Sequence, residues 1–456
     1  MAHRFLNAVK TNWRFSRTLK PNTNLKHWTD KMKRVNKIIG SMKPEEMQRK
    51  IMDMLTEDDI KVLSPLPDEN DPGIFENEPH PNDDVRTHVQ VGESQCLVTN
   101  YLKRRLEHIP GFPRPVKDTG DKAYRISPTL HSGMGMFAAR RFKMGDLIAD
   151  ERPLMVIPIG PPADFGFLMA QTTGEDRMKY SQALVGSVFE RMSEENQEAF
   201  MGLHNSHPHD GLLFGVARTN GYGLDDDLMD ETKNVKFLSL LVSHNKDMQS
   251  RIGRYAGVFK DLSRLNHSCS PNIHRKFHMA TFSMQIRAAR DIEEGEEIFT
   301  TYTETLQPAA DRARSLAPYS IECGCRACLD PAKSDPIRAA VRNRSTSPSL
   351  PPSKAKIDAA VQTLARIEQE GLQASAAYRE TLGRLFISYV CVHDEKKALM
   401  YGEKLWLATM AAGEPLCEMF RNVEVMKSRR SGWRRNGLCR RGALFESLSI
   451  ECWNSL

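Results

Sequence analysis

Three cysteines fall within six residues in Cys323-Gly324-Cys325-Arg326-Ala327-Cys328, and Cys269 lies about fifty residues upstream in Asn266-His267-Ser268-Cys269-Ser270-Pro271-Asn272. Four thiolates suit a tetrahedral zinc ion, and zinc held by Cys269, Cys323, Cys325 and Cys328 would tie a short segment back onto the Asn-His turn. Whatever lies beside that turn would then be enclosed, which is one way to build a pocket. The same residues also read as structural thiols, as half of a disulfide framework, or as a zinc knuckle finished by His267, His274 or Cys391. Nine cysteines in 456 residues are too sparse for a disulfide-built scaffold, and no convincing secretory signal is present. A reducing compartment, nuclear and/or cytoplasmic, is therefore expected.

A chain of 456 residues has room for about three domains, and 40% hydrophobic residues suffice for at least one large core. No apolar run of about 18 residues occurs, which argues against a membrane span. The net charge of +6 is unevenly placed, with basic residues crowding the first fifty positions and the stretch from Lys427 to Arg441. Nucleic-acid contact is conceivable only through those segments, and solvated tails explain them more simply. The first 29 residues lack any acid and fit a mitochondrial presequence, although a plain basic helix fits better because serine is scarce. Residues 1–118 read as a helical and linker extension, with an acidic, proline-rich linker from Pro65 to Asp84.

From about Ala123 the pattern changes to short strands and turns: Ser132 to Ala139, Phe142 to Ile148, and the apolar stretch Leu154 to Ile159. Gly133 and Gly135, one residue apart, would let backbone approach a ligand, though a lone Gly-x-Gly is weak evidence and more often marks a bulge or turn. Residues 161 to about 260 read as largely helical, with apolar spacing at Leu184, Val188, Phe189 and Met192. Strand pattern returns near Ile286 and ends in Phe299-Thr300-Thr301-Tyr302.

The order Gly133-Met134-Gly135, Asn266-His267-Ser268-Cys269-x-Pro271-Asn272, Gly295-Glu296-Glu297-Ile298 with Tyr302, then Cys-x-Cys-x-x-Cys strongly resembles the SET-domain lysine methyltransferases with a post-SET zinc segment. Within that family it is most similar to the branch typified by the SET and MYND proteins, whose SET domain is split by a helical insertion. Phe214 to Asn220 resembles that branch's segment whose asparagine touches the methyl donor. The resemblance implies an α+β chain: a SET β-fold of small sheets with a knot-like crossing near residues 266–272, residues 119–318 with the insertion at about 161–260, and a post-SET zinc segment at 319–330. It implies S-adenosylmethionine and zinc as cofactors and a protein lysine as substrate. Donor contacts would come from Gly133, Met134, Gly135, Asn220, Asn266 and His267, with Tyr302 as the catalytic residue that aligns amine and methyl.

The chain also departs from this branch. No cysteine lies between Cys96 and Cys269, so the MYND finger of the insertion is absent. Ile321 stands where relatives place an aromatic residue against adenine, and Tyr319 is the candidate to take over that surface. Tyr255, Phe259 and Phe299 are all candidates for a second aromatic residue in the lysine channel.

Ser334 to Lys356, rich in serine, proline and basic residues, reads with its flank (331–356) as a linker. Residues 357–420 return to helical spacing, at Tyr378, Leu382, Leu385, Phe386 and Tyr389 and again at Ala398, Tyr401, Leu405 and Ala408. Two or three helices are expected, resembling the tetratricopeptide-like helices of the same branch and offering a surface for a protein partner. Residues 421–456 read as a basic, disordered tail. The competing reading is a catalytically silent, zinc-stapled interaction module, and retention of every catalytic motif argues against it.

Overall fold

The structure is a computed structural model that describes residues 82–83, 85–119, 123–130, 132–159, 174–224, 254–343, 353–414, 416 and 420–422, all within one compact unit. Strands β1 (Arg86–Val91) and β2 (Ser94–Thr99) form an antiparallel hairpin around Gly92, whose φ of +60° suits the tight turn. Helix α1 (Asn100–His108) follows, its first turn capped by the Thr99 hydroxyl accepting from the Leu102 N–H. Next come β3 (Tyr124–Pro128), β4 (Met134–Ala138), β5 (Leu147–Glu151) and β6 (Met155–Pro158). Helices α2 (Gly174–Phe189), α3 (Glu194–Met201) and α4 (Leu212–Asn220) make the insertion, which also contributes strand β7 (Tyr222–Gly223).

The chain returns to sheet with β8 (Tyr255–Val258), β9 (Asn266–His267), β10 (Ile273–His278), β11 (Ser283–Ala288) and β12 (Glu297–Thr300). These strands make three small sheets, ordered β1-β2-β6-β8-β7, β10-β11-β5 and β3-β4-β12-β9. Helices α2 to α4 cover the first sheet, burying Val185, Val188, Phe200 and Val216 against Met155, Ile157 and Val258. The spacing read at Val188 and Met192 is the buried stripe of that contact. The α+β arrangement of small sheets, helical insertion and helical C-terminal region agrees with the sequence reading.

In the third sheet β12 pairs antiparallel with β4 and parallel with β9. A parallel partner cannot be reached by a tight turn, and the intervening chain is spent on the β10–β11 hairpin. Asn272, fully buried, fixes the approach: its Nδ2 donates to the Glu297 carbonyl at 2.9 Å and its Oδ1 accepts the Phe299 N–H at 2.7 Å. The Asn-His segment is thereby bonded along β12 at both ends, since the Ser268 N–H also donates to the Thr300 carbonyl at 2.8 Å.

After β12 come α5 (Ala309–Leu316), the short α6 (Arg326–Leu329) and α7 (Pro331–Arg342), then α8 (Lys354–Gln369), α9 (Ala376–Cys391) and α10 (Glu395–Ala411). The last three bury Leu364, Ile367, Leu382, Phe386 and Leu405, with Met144 and Leu306 packed against the same cluster.

Two sequence readings need correction. Residues 86–99 are neither helix nor linker but the hairpin β1–β2, which joins the first sheet through parallel pairing of β2 with β6. Pro331–Arg342 is not linker but helix α7, with Pro331 in its first turn and the Asp330 carboxylate accepting the Lys333 N–H at 3.2 Å. Residues 1–81, 344–352 and 423–456, which hold the presequence-like segment, most of the acidic linker, part of the second linker and the basic tail, lie outside the described residues.

Candidate active site

Asn266 and His267 sit on β9 beside Phe299 and Thr300 at the C-terminal end of β12, so their backbone is fixed and their side chains can be aimed. The Asn266 Nδ2 donates to the Met134 carbonyl at 3.2 Å and to Glu297 Oε1 at 2.8 Å. Both amide hydrogens are thus spent on protein, leaving the amide oxygen as acceptor. His267 Nδ1 accepts the Tyr302 N–H at 3.0 Å, and its Nε2 lies 3.3 Å from Cys269 Sγ. Burial pulls the ring's pKa down to about 4. A neutral ring that accepts at Nδ1 carries its proton on Nε2, so it donates toward the cysteine sulfur.

Tyr302 follows directly. Its hydroxyl donates to the Leu265 carbonyl at 2.6 Å, and burial, with a smaller contribution from Tyr319, pushes its pKa up to about 12. The phenol is neutral at physiological pH, and with its proton committed to Leu265 its oxygen lone pairs remain for other contacts. Its ring lies 5.4 Å from the His267 ring and 5.8 Å from the Tyr319 ring.

The glycines differ in their reasons. Gly133 ends the β3–β4 turn with φ +67°, a conformation that disfavours side chains. Gly135 needs space instead: a Cβ there would fall 2.6 Å from Glu297 Oε1, 2.7 Å from Thr129 Cγ2 and 3.0 Å from Asn266 Nδ2. Met134, between them, is partly exposed and offers its carbonyl to Asn266.

Asn220, at the end of α4, donates through Nδ2 to the His204 carbonyl at 2.7 Å and to the Val216 carbonyl at 2.8 Å. It therefore holds the 204–207 segment, whose His207 ring meets the Tyr319 ring edge-on at 5.6 Å. His207, which the sequence reading missed, forms a row with Tyr319, Tyr302 and His267. Tyr319 reaches that row because Ser320 adopts the left-handed conformation at φ +55°, turning the chain toward the cysteines. Ile321 remains a partly exposed neighbour of this turn.

The three candidates for a second channel aromatic fall in different surroundings. Tyr255 and Phe259 are wholly buried, and the Tyr255 hydroxyl accepts the Thr99 N–H at 3.0 Å, in the core of the first sheet. Phe299 is partly buried on β12. Tyr222 packs its ring against Phe259 at 5.9 Å, and burial, with a smaller contribution from Tyr302, raises its phenol pKa. Its hydroxyl donates to the Leu262 carbonyl at 2.9 Å, and the Arg275 guanidinium lies 4.9 Å from its ring. The only sequence signal for it was adjacency to Asn220-Gly221.

Both tyrosine hydroxyls thus rest on carbonyls of one turn, Leu262 and Leu265, and Glu151 organises that turn. Its carboxylate accepts the N–H groups of Lys260 at 2.7 Å, Asp261 at 3.0 Å and Leu262 at 2.8 Å. Burial raises the Glu151 pKa to about 7 despite these bonds. A carboxyl that protonates near 7 when folded and near 4.5 when unfolded favours the folded state below pH about 4.5 and loses that contribution as pH rises through 7. The loss is up to about 3 kcal/mol. Denaturant unfolding of Glu151→Gln beside the natural protein between pH 5 and 8 is therefore expected to shift in favour of the variant as pH rises. A difference that stays constant with pH would exclude this role.

The four cysteine sulfurs all lie within 4.8 Å of one another. Cys269 Sγ is 3.5 Å from Cys328 Sγ and 3.9 Å from Cys323 Sγ, against about 3.8 Å for an edge of a tetrahedron with zinc–sulfur bonds near 2.3 Å. Hydrogen bonds from Cys269 and Cys323 pull the Cys325 thiol down, while hydrogen bonding to Cys323 and Cys325 pushes Cys269 up. Four thiols this close cannot all ionise without a cation among them, so the donor set fits zinc. The alternatives for a fourth ligand fall away: His267 is adjacent to Cys269 rather than part of the set, His274 is buried toward Gln373 and Arg379, and Cys391 closes α9. Fully buried Arg312 flanks the cluster, with Nη2 3.5 Å from Cys328 Sγ and 3.4 Å from the Ala327 carbonyl.

Comparison with protein families matches residues 133–303 to the SET domain. The chain carries a SET domain. Histone-lysine N-methyltransferase set5 of Schizosaccharomyces pombe is 29% identical over 207 residues, 45% of this chain and 50% of that protein. N-lysine methyltransferase SMYD2-B of Danio rerio is 38% identical over 89 residues, 19% of this chain and 20% of that protein. The chain thus spans half or less of the length of these curated relatives. A crystal structure of the SET domain of LSMT bound to lysine and AdoHcy matches at 11% identity and a TM-score of 0.22 over 72% of this chain, too low a likeness to carry an argument. No helix among the described residues is long and apolar enough to cross a membrane.

Proposed function

We propose that this protein transfers a methyl group from S-adenosylmethionine to the side-chain amine of a protein lysine. The observation that carries the reading is the row His267, Tyr302, Tyr319 and His207, with the cysteine cluster at His267 and the Gly133–Gly135 loop bonded to the neighbouring Asn266. Bound there, S-adenosylmethionine supplies an electrophilic methyl group on a sulfonium. Asn266 and Asn220, whose amide hydrogens are already used by the protein, offer acceptor oxygens to the donor's ammonium. The backbone at Gly133, Met134 and Gly135 lines the same loop, and the Tyr319 ring supplies the flat surface that Ile321 does not. Zinc on Cys269, Cys323, Cys325 and Cys328 would hold the segment bearing Tyr319 against β9.

Releasing the proton of a free lysine, pKa about 10.4, costs roughly 4 to 5 kcal/mol at pH 7. Enclosure between Tyr222 and Tyr302 disfavours the ammonium, and a nearby positive charge disfavours it further. Tyr302 and His267 are both neutral at that pH, and water can take the proton. Tyr302 acts by alignment: its oxygen, fixed through Leu265, orients the amine at a near-attack distance of about 3 Å. The free thiols support a nuclear and/or cytoplasmic setting. The helices α8 to α10 are a candidate surface for a protein partner.

Isothermal titration of the zinc-loaded full chain with S-adenosylmethionine tests the donor site. Saturable binding at about one donor per chain, weakened by Asn266→Ala, is expected. No binding would return the chain to the class of interaction modules.

A further inference from the structure

Arg338 is fully buried on α7, outside the SET-matched residues, and its guanidinium joins four segments. Nη1 donates to the Cys269 carbonyl at 2.9 Å and to the Thr305 carbonyl. Nη2 donates to Ser270 Oγ at 2.9 Å, and Nε to Ser334 Oγ at 2.9 Å. Glu370 Oε2 lies 3.5 Å away and also accepts the Ser334 hydroxyl at 2.6 Å, while the Glu370 carbonyl accepts the Ser270 hydroxyl at 2.7 Å. Gly371 closes the contact: with φ +67°, a Cβ there would sit 3.1 Å from Ser270 Cβ.

Cys269 is two residues beyond His267, and Thr305 is three beyond Tyr302. These are the two stretches of chain whose spacing sets the bond between His267 Nδ1 and the Tyr302 N–H. A planar guanidinium with donors in a fixed fork sets the distance between two carbonyls in a way that a lysine ammonium cannot. We propose that Arg338 is a positioning residue for the Tyr302–His267 pair. Through it the C-terminal helical region, at the α8–α9 junction, completes the SET site rather than merely packing beside it. Separating that region from the SET core would loosen the pair even with the four cysteines intact. Only the donor-binding part of the test below rests on the function proposed above.

The test is hydrogen exchange followed by mass spectrometry on the full, zinc-loaded chain, comparing Arg338→Lys with the natural protein. Peptides covering Ser268 and Tyr302 are expected to exchange roughly tenfold faster, the change one charge-assisted hydrogen bond commands. Peptides from β10 and β11 and the zinc content should be unchanged. Affinity for S-adenosylmethionine, measured on the same samples, should weaken by roughly tenfold. Faster exchange confined to α7–α10 would overturn the proposal, since a purely local packing role would move only those helices. If Arg338→Lys does not fold, Ser270→Ala removes the Nη2 arm together with the Ser270–Glu370 bond that backs it, and should accelerate the same two peptides by roughly threefold; unchanged exchange there would overturn it. A natural protein that binds no donor, with the exchange result as expected, would refute the methyl-transfer reading and leave the coupling standing.

Discussion

Tyr302→Phe is expected to lower the rate of methyl transfer by about a hundredfold or more while leaving S-adenosylmethionine affinity within about threefold. The ring contacts to His267 and Tyr319 survive in phenylalanine, so the wall of the donor site persists. What disappears is the oxygen held by the Leu265 carbonyl, and with it the group that orients the amine. Stability should fall by about 1 to 2 kcal/mol, because the Leu265 carbonyl loses its partner. Single-turnover transfer with labelled donor, run beside titration of donor binding, separates the two effects. Transfer at the natural rate would remove Tyr302 from the mechanism.

Removing the metal is the second large effect. Cys323→Ser, or exhaustive treatment with a chelator, is expected to drop zinc from about one per chain to near zero and to weaken donor binding by at least about tenfold. Between Tyr319 and Cys328 the regular structure is confined to the start of α6, so apart from the Tyr319 ring contacts and the Arg312 bonds the cysteines hold the segment in place. The loss should be steeper than for Arg338→Lys, because the metal joins two segments through four bonds at once. Zinc content, donor titration and thermal unfolding measured on the same samples check it. A zinc-free Cys323→Ser protein that binds donor normally would show that Tyr319 is held by other means.

The parts of the site legible in the sequence are those where one short stretch performs one physical task. The Cys-x-Cys-x-x-Cys spacing brings three sulfurs together within a single turn, as the 4.8 Å cluster confirms geometrically. Asn272 was visible as part of a motif because its side chain does what backbone normally does, bonding to β12 at two points. The glycines were visible because Gly133 needs a positive φ and Gly135 needs empty space. The illegible parts depend on distant contacts. Tyr222 carries no periodicity signal on a strand of two residues, and its role depends on a turn forty residues away. Arg312 and Arg338 were not singled out in the sequence, yet both are buried because cysteine sulfur, carbonyls and acids from other segments surround them. Helix α7 was read as linker because the stretch is rich in serine, proline and basic residues; burial of Arg338 and Val341 on one face outweighs the backbone bond lost at Pro336. The β1–β2 hairpin was readable in principle from the alternation of Val89 and Val91 around Gly92, but the acidic stretch before it suggested a continuing linker.

The most direct test of methyl transfer to protein lysine is to incubate the zinc-loaded protein with isotope-labelled S-adenosylmethionine and a cell extract, then locate the label by mass spectrometry of the digested proteins. Label on lysine side chains, present with the natural protein and absent with Tyr302→Phe, is the result expected. Label equally abundant with both proteins, or found on residues other than lysine, would contradict it.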